Sequence, residues 1–323
     1  MTIPDRPLLS VVVPVYNEEA VLHEFYKRLH AVLKELRGLS GTEIIFVDDG
    51  SHDGSAKILS ELVQWDKSVK VLQFSRNFGH QIALTAGLDH AKGDAVVVID
   101  ADLQDPPETI PRLLNKWRDG YEVVYGVRES RETDTWFKRT TARLFYALMR
   151  KIGNLDLPMD AGDFRLLDRK VVEVFRSLGE RHRFVRGLTL WVGFRQTGVL
   201  YPRTERFAGS TKYPFGKMLK LAWDGVTSFS FAPLRVAIYL GLIVSSLSFL
   251  LGLFVIIGRF FLNQTELLGF PTHGWGSLMV AVLFLAGVQL IVLGMMGEYL
   301  GRTYEEVKRR PLYILREKIG FDD

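Results

Sequence analysis

Asp100 and Asp102 follow the apolar run Val96–Ile99 and are separated only by Ala101. Carboxylates placed directly after a buried strand need a reason, because an unpaired charge is costly to bury. Carboxylate oxygens bind hard divalent cations, and Mg²⁺ takes one or two of them together with substrate phosphates. A cation bound there would neutralise the charge that develops on a departing diphosphate. The spacing therefore indicates metal-assisted chemistry on a phosphate-bearing substrate, although Asp-x-Asp alone is a common sequence.

Apolar runs alternate with helix-like stretches through the first part of the chain. The runs are rich in Val and Ile, and several are apolar at consecutive positions, which is typical of strands covered on both faces. This alternation predicts an α/β fold with an open, mostly parallel sheet. The predicted strands are Leu9–Val13, Ile44–Val47, Val69–Phe74, Ala95–Ile99 and Glu122–Tyr125.

Each predicted strand is followed by polar, charged or turn-forming residues. Ligands of open α/β sheets bind beyond the carboxyl ends of the strands, so these residues are expected along one edge. Turns alone supply some Asp, Asn and Gly, but they do not readily explain several acidic or arginine-bearing ends together. The segments are Pro14–Glu18, Asp48–Ser51, Ser75–Gly79, Asp100–Gln104 and Gly126–Arg128.

Two later stretches, Val236–Ile257 and Trp275–Met296, contain no charged residue. A helix rises about 1.5 Å per residue, so each stretch is long enough to cross a hydrocarbon core of about 30 Å. Buried core helices are the alternative, but such helices are seldom this long without a charge. The expected organisation is a catalytic domain over 1–212, an interfacial amphipathic region over 213–234, a transmembrane hairpin over 235–297 and a tail over 298–323.

Lysine and arginine are concentrated on both outer flanks of this hairpin, whereas the connection 259–274 carries only Arg259 of these two types. The positive-inside rule then places the catalytic domain and the C-terminus in the cytoplasm, with two spans in a plasma or inner membrane. Anionic lipid is a simpler partner for these charges than nucleic acid, which we do not expect to bind. The basic stretch Trp136–Ile152 is expected either on the membrane surface or packed on the sheet. The absence of cysteine excludes disulfides and thiolate chemistry.

The order of these motifs resembles that of family 2 glycosyltransferases with the GT-A fold. The similarity is greatest to polyprenyl-phosphate glycosyltransferases, a group that includes dolichol-phosphate mannose synthases and the bactoprenol glucosyltransferases of the GtrB type. The two-span hairpin fits the same group, so the resemblance covers nearly the whole chain. The group commonly has Ser where this chain has Thr211, which keeps the hydroxyl. The motifs are Pro14-x-Tyr16-Asn17-Glu18, Asp48-Asp49-Gly50-Ser51, Arg76-Asn77-x-Gly79, Asp100-Ala101-Asp102-Leu103-Gln104-Asp105-Pro106, Gly162-Asp163-Phe164-Arg165, Arg206-x-x-Gly209-x-Thr211-Lys212 and Gly297-Glu298-Tyr299-x-Gly301-Arg302.

The resemblance implies roles for individual residues. Asp102, Arg128 and Asp163 are the expected catalytic residues, and Asp102 with Gln104 would bind a divalent metal, Mg²⁺ or Mn²⁺. The residues expected to bind the phosphates or the acceptor are Arg128, Arg206 and Lys212, and those expected to bind the nucleotide-sugar are Pro14, Tyr16, Glu18, Val47, Asp49, Asp100 and Ala101.

The implied activity is inverting transfer of a hexose to polyprenyl phosphate at a lipid bilayer. UDP-glucose is the first expectation for the donor, and UDP-galactose, GDP-mannose or a modified arabinose donor stay open. A homo-oligomer is expected, with a tetramer as the first choice. A processive polysaccharide synthase is disfavoured because such enzymes generally carry a Gln-x-x-Arg-Trp motif and more spans. A non-catalytic membrane adaptor or transporter subunit is the other alternative, but ionisable residues are absent from both apolar stretches.

Simpler explanations stay open for several of these residues. Asp48 can shape a turn instead of contacting a ligand, and Asp163 with Arg165 can form a structural ion pair. Glu298 and Arg302 are four apart, which favours an intrahelical ion pair. The residues expected to pack or to lie at the surface are His80, His90 and His182, and a core position is the alternative for Tyr16.

Overall fold

The computed structural model describes residues 4–129, 161–181, 183–202, 232–261, 266–267, 270–271 and 275–321. They belong to two compact units, one of residues 1–225 with 310–323 and the other of residues 226–309. Several predictions concern residues outside the described ranges. These are the stretch Trp136–Ile152, the phosphate-binding residues Arg206 and Lys212, His182, and most of the interfacial region 213–234.

Strands and helices alternate through the sequence, as the apolar runs predict. The strands are β1 (Leu8–Val15), β2 (Gly41–Asp48), β3 (Val69–Phe74), β4 (Ala95–Val98), β5 (Val123–Arg128), β6 (Ala161–Asp168), β7 (Gln196–Tyr201), β8 (Glu266–Leu267), β9 (Phe270–Pro271) and β10 (Leu315–Ile319). The helices are α1 (Leu22–Glu35), α2 (Ser55–Trp65), α3 (His80–His90), α4 (Ile110–Arg118), α5 (Arg169–Ser177), α6 (Val185–Trp191), α7 (Ala232–Phe261) and α8 (Trp275–Val307), and a 3₁₀ turn spans Pro107–Thr109.

The first unit is built on one sheet with the strand order β10-β3-β2-β1-β4-β6-β5-β7. β10 and β6 run antiparallel to their neighbours, and the other neighbouring pairs are parallel. The predicted α/β fold with a mostly parallel sheet is thereby confirmed. β1 has β2 on one side and β4 on the other, so the strand order reverses there. In open α/β sheets a crevice forms at such a point, beyond the carboxyl ends of the strands.

The central strand and the helix beside it are packed closely. Val11, Val12 and Val13 of β1 are fully buried, as expected for a strand covered on both faces. α3 approaches β1 so closely that a Cβ atom on Gly87 would lie 2.1 Å from Cγ1 of Val12. Glycine at this position therefore lets the helix rest directly on the sheet. Since α3 begins at His80, the same packing fixes the position of its first turn at the carboxyl edge.

The segment after α8 adds an edge strand to the sheet that the pattern of apolar runs does not predict. β10 pairs antiparallel with β3. Before it, Tyr313 stacks on Phe74 with ring centroids 5.3 Å apart, and its hydroxyl donates to Asp89 at 3.1 Å. The expected single tail over 298–323 is divided in the structure, because the helix continues to Val307 and residues 310–323 belong with the sheet.

The second unit consists mainly of α7 and α8. Both helices contain apolar windows long enough to cross a membrane, at Pro233–Leu250 and Phe284–Val307. Almost none of the side chains in these windows is buried, which distinguishes them from core helices. They fit the predicted transmembrane hairpin. Near the end of α8, Arg302 Nε lies 2.9 Å from Glu298 Oε1, which confirms the predicted intrahelical pair.

Candidate active site

The turns after β1 and β2 hold each other in place. Asn17 has a positive φ of 55°, and its Oδ1 accepts the backbone N–H of His52 at 2.8 Å. Its own N–H donates to Oγ of Ser51 at 3.0 Å, and the Ser51 N–H donates to Oδ1 of buried Asp48 at 3.0 Å. Asp48 therefore has the turn-shaping role. The neighbouring Tyr16 side chain is 38% exposed at the end of β1, so it is not a core aromatic residue.

Asp49 supports the loop that leads into α3. Its carboxylate accepts the N–H groups of Phe78 at 2.6 Å and of Gly79 at 3.0 Å. The side chain is buried, and burial raises its pKa even though these two hydrogen bonds oppose the rise. Gly50 has φ of 70°, and a Cβ atom there would lie 2.6 Å from the carbonyl carbon of Arg76, so the turn requires glycine. Asp49 thus builds one wall of the crevice, and its contact with a nucleotide stays a prediction.

Asp100 lies just beyond β4 and contacts the first residue of α3. His80 Nε2 is 2.8 Å from Oδ1 of Asp100, and His80 Nδ1 is 3.9 Å from Oδ2 of Asp163. Burial alone would lower the pKa of His80, but these two carboxylates raise it to about 9. Carboxylates on both sides of the ring thus favour its protonated form. The ring lies between one carboxylate just beyond β4 and another on β6.

Asp163 has a second cationic partner on α6. Arg186 Nε is 2.7 Å from Oδ1 of Asp163, and Arg186 Nη2 is 3.0 Å from Oδ2. Burial alone would raise the pKa of Asp163, but the Arg186 guanidinium holds it well below its usual range. Arg165 instead donates to the carbonyl oxygens of Gly162 and Asp163 and to Oγ1 of Thr189. The alternative of an Asp163–Arg165 ion pair is therefore wrong, because the carboxylate pairs with Arg186.

Asp102 lies in a tight turn beyond Asp100. Leu103 has a positive φ of 60°, and Oδ1 of Asp102 accepts the N–H of Gln104 at 3.1 Å. The side chain of Gln104 is buried. Within the described residues, no group of three or more acidic or histidine side chains is arranged to hold a metal ion by itself. A cation at this turn would therefore combine few protein oxygens with substrate phosphates, which is the arrangement Mg²⁺ prefers.

Arg128, at the end of β5, is bound to a buried carboxylate. Its Nη2 lies 2.9 Å and 3.1 Å from the two oxygens of Asp105, and its Nε lies 3.1 Å from Oδ1. The Tyr201 hydroxyl also donates to Asp105, and Arg128 Nε lies 3.1 Å from that hydroxyl. Burial raises the pKa of Asp105 although the charge of Arg128 opposes the rise. A guanidinium held in this way keeps a fixed orientation, and its contact with phosphate stays a prediction.

Three predicted nucleotide contacts are largely enclosed by protein. Pro14, Val47 and Ala101 are buried, so a ligand would meet their backbone atoms more readily than their side chains. Glu18 is partly exposed, and its backbone N–H donates to Oγ of Ser55 at 3.0 Å. These residues shape the floor of the crevice between β1, β2 and β4.

Linked contacts bring several predicted residues to one edge of the sheet. Asp49 binds the loop that carries His80, His80 binds Asp100, and Arg128 binds Asp105 in the segment that follows Asp100. The structure adds partners that the motifs did not single out for a role. The positions of His80 and Asp105 are a sequence signal, because these residues directly follow Gly79 and Gln104. Arg186 and Tyr201 have no such signal in the sequence.

The sequence model of glycosyl transferase family 2 matches residues 10–175, from within β1 to beyond β6. Of the side chains that form the candidate site, Arg186 and Tyr201 lie outside this match. The strand order and the acidic turn after β4 are consistent with this match to the family model. The chain belongs to glycosyl transferase family 2 and is a glycosyltransferase.

Curated relatives extend the similarity beyond the catalytic sheet. An uncharacterized glycosyltransferase, YkcC of Bacillus subtilis, is 51% identical over 97% of this chain and 95% of its own length. The bactoprenol glucosyl transferase of Shigella phage SfII is 48% identical over 96% of this chain and 97% of its own length. Among solved structures, glucosyl-3-phosphoglycerate synthase from Mycobacterium tuberculosis is 17% identical, with a TM-score of 0.47 over 68% of this chain and 78% of that chain.

Proposed function

We propose that this glycosyltransferase moves a hexose from a nucleotide-sugar to a polyprenyl phosphate. The observation that carries the proposal is the similarity to a bactoprenol glucosyl transferase along 96% of the chain, a length that includes the hairpin region. UDP-glucose is the first choice of donor and undecaprenyl phosphate the first choice of acceptor. The product would be a lipid-phosphate sugar for later glycosylation of the cell envelope.

The donor would lie in the crevice beyond β1, β2 and β4. Tyr16 is exposed at the end of β1, and Asp49 and Asp100 lie at the ends of β2 and β4. Asp102, with Gln104, would hold the Mg²⁺ or Mn²⁺ ion that neutralises charge on the diphosphate. Arg128 is oriented by Asp105 and would face the phosphates, and the sequence adds Arg206 and Lys212 to that role.

The acceptor needs no strong general base, because a phosphate is already anionic. One of its oxygens would attack the anomeric carbon while the bond to the nucleoside diphosphate breaks and that group leaves with the electron pair. Direct attack inverts the anomeric configuration, so an α-linked donor would give a β-linked lipid phosphate. The protein's own contribution would be to fix both substrates and to supply oriented charges.

The hairpin would keep the catalytic sheet at the membrane, where a polyprenyl phosphate stays because its chain is insoluble. Confinement to one surface raises the effective concentration of one partner for the other. Basic residues flank both apolar helices on their outer sides, which favours a cytoplasmic catalytic domain and C-terminus.

A donor panel tests this proposal. The full-length protein in nanodiscs is given UDP-glucose, UDP-galactose, GDP-mannose or a UDP-linked modified arabinose, with and without undecaprenyl phosphate. We expect release of nucleoside diphosphate to depend on the lipid phosphate and to be fastest with UDP-glucose. No lipid-dependent release with any donor would contradict the proposal, and a faster reaction with another donor would change only the sugar.

A further inference from the structure

We propose that His80 is a positioning residue that holds Asp100 in the orientation required by the donor, an inference that rests on the proposed donor site. Its Nε2 is 2.8 Å from Oδ1 of Asp100, and its other ring nitrogen faces Asp163 at 3.9 Å. The side chains of His80 and Asp100 are 39% and 31% exposed, whereas Asp163 is 7% exposed. The histidine therefore connects a carboxylate at the crevice to a buried one behind it.

The register of the sheet explains why a cation is needed at this point. β4 and β6 are antiparallel, and Val98 is paired with Arg165. Asp100 lies two residues beyond Val98 and Asp163 two residues before Arg165, so both carboxylates lie beyond this last pair. Like charges that lie close together repel each other. His80, reaching in from α3, lies between the two carboxylates and offsets their repulsion.

The histidine is itself held from behind. Arg186 binds both oxygens of Asp163, which fixes the carboxylate that faces the ring. Gln81 Nε2 donates to the same carboxylate, at 3.4 Å from Oδ2 of Asp163, and its Oε1 accepts the backbone N–H of Val185 at 2.9 Å. The first turns of α3 and α6 thus meet at this cluster, and the position of Asp100 depends on both.

This arrangement gives the Gly-Asp-Phe-Arg motif a physical role. Asp163 is buried and fully engaged by cationic and amide donors, so it would act through His80 instead of touching substrate. Asp100 is the member of the cluster at the end of β4, where the nucleotide is expected. Weakening the support of Asp100 should therefore raise the KM for the nucleotide-sugar and leave the KM for the lipid phosphate unchanged.

The test compares His80→Ala, His80→Gln and His90→Ala in the full-length enzyme. His90 is the matched control, because it lies at the other end of α3 and its Nδ1 is 2.9 Å from the carbonyl oxygen of Ala86 in the same helix. We expect His80→Ala to lower kcat/KM for the donor by about ten- to a hundredfold, the range for one charge-assisted hydrogen bond. His80→Gln, which keeps a donor toward Asp100, should recover part of this loss.

A double-mutant cycle shows whether Asp163 acts through His80. Asp163→Asn should lower kcat/KM for the donor in the wild-type background. In the His80→Ala background it should lower kcat/KM by less than about a further threefold, because the two residues act on Asp100 through the same contact. Equal donor KM values in His80→Ala and His90→Ala would overturn the inference. A smaller fraction of active enzyme, with unchanged kcat and KM in that fraction, would also overturn the inference, because this result indicates a folding defect.

Direct binding separates this inference from the proposed function. Titration calorimetry with UDP and Mg²⁺ measures nucleotide affinity without any acceptor or turnover. Weaker UDP binding by His80→Ala than by His90→Ala supports the inference even if the donor panel finds a different acceptor. Equal UDP binding by the two variants, with wild-type transfer intact, overturns the inference and leaves the proposed function standing. If the wild-type protein binds neither UDP nor GDP, both proposals fail.

Discussion

Replacing Arg128 by Met should destabilise the first unit, because the buried carboxylate of Asp105 would lose its cationic partner. Asp105 is 1% exposed, and Arg128 supplies three of its hydrogen-bond contacts. Removal of one partner from a buried ion pair costs about 3–5 kcal/mol because the other charge stays buried and uncompensated. The Arg128 side chain is 25% exposed and Tyr201 still donates to Asp105, so we take the lower end, about 3 kcal/mol.

A second variant also removes the charge of Asp105, which the first variant leaves without a cationic partner. Arg128→Met combined with Asp105→Asn should cost only about 1 kcal/mol, since a neutral amide keeps the hydrogen bond with Tyr201 and no charge is left buried. Urea unfolding of the full-length protein in detergent, followed by tryptophan fluorescence, measures both values. Arg112→Met is the control, because this arginine is exposed on α4.

The same pair of variants decides what Arg128 does in the reaction. If Arg128 binds phosphate, the double variant should be folded but should transfer sugar at least about a hundredfold more slowly, as expected when a charged hydrogen bond to substrate is lost. A single variant within about 1 kcal/mol of the wild type would refute the reasoning about the buried pair. Full activity in the stable double variant would refute the phosphate role instead.

Two further variants test the packing and the electrostatics of the sheet. Gly87→Ala should destabilise the protein by about 1–3 kcal/mol, because the added methyl group meets Val12 at 2.1 Å, whereas Gly179→Ala meets no atom within 4 Å and should have little effect in thermal unfolding. Burial alone would raise the pKa of Glu43, but hydrogen bonds, chiefly from Lys70, hold it below its ordinary value of 4.5. The stability that Glu43 contributes is therefore present above that ordinary value and is lost as the pH falls through the lowered pKa. The difference in Tm between wild type and Glu43→Gln should shrink on acidification below about pH 4.5, and a difference that grows would contradict this assignment.

The central strands could be predicted because their residue types indicate that they are buried. β1 and β4 are covered on both faces, so they need continuous Val and Ile, and that pattern is visible without any tertiary information. β10 has the sequence Leu-Arg-Glu-Lys-Ile and lies at the edge of the sheet, where charged side chains are tolerated and protect against aggregation. Its pairing depends on contacts with β3 and on the stacking of Tyr313 on Phe74, which no local pattern encodes.

The candidate site likewise contains some residues that the sequence predicts and others that it does not. Tyr16, Asp49 and Asp100 could be placed at one edge because the carboxyl ends of neighbouring parallel strands meet there. Arg186 and Tyr201, the partners of Asp163 and of Asp105, could not be predicted, because they come from later elements that approach only in the folded sheet. Histidine was set aside because the transfer reaction needs no base of this type. The structure instead places His80 Nε2 2.8 Å from Oδ1 of Asp100.

The most direct test of the account measures formation of the lipid-linked sugar itself. Full-length wild type and Asp102→Asn are incubated in nanodiscs with radiolabelled UDP-glucose, undecaprenyl phosphate and a titration of Mg²⁺ or Mn²⁺, and the labelled lipid is quantified. We expect metal-dependent product from the wild type and a loss of at least about a hundredfold in the variant, because stabilisation of the developing charge is removed. Undiminished product from Asp102→Asn, or from the wild type with all divalent metal chelated, would contradict it.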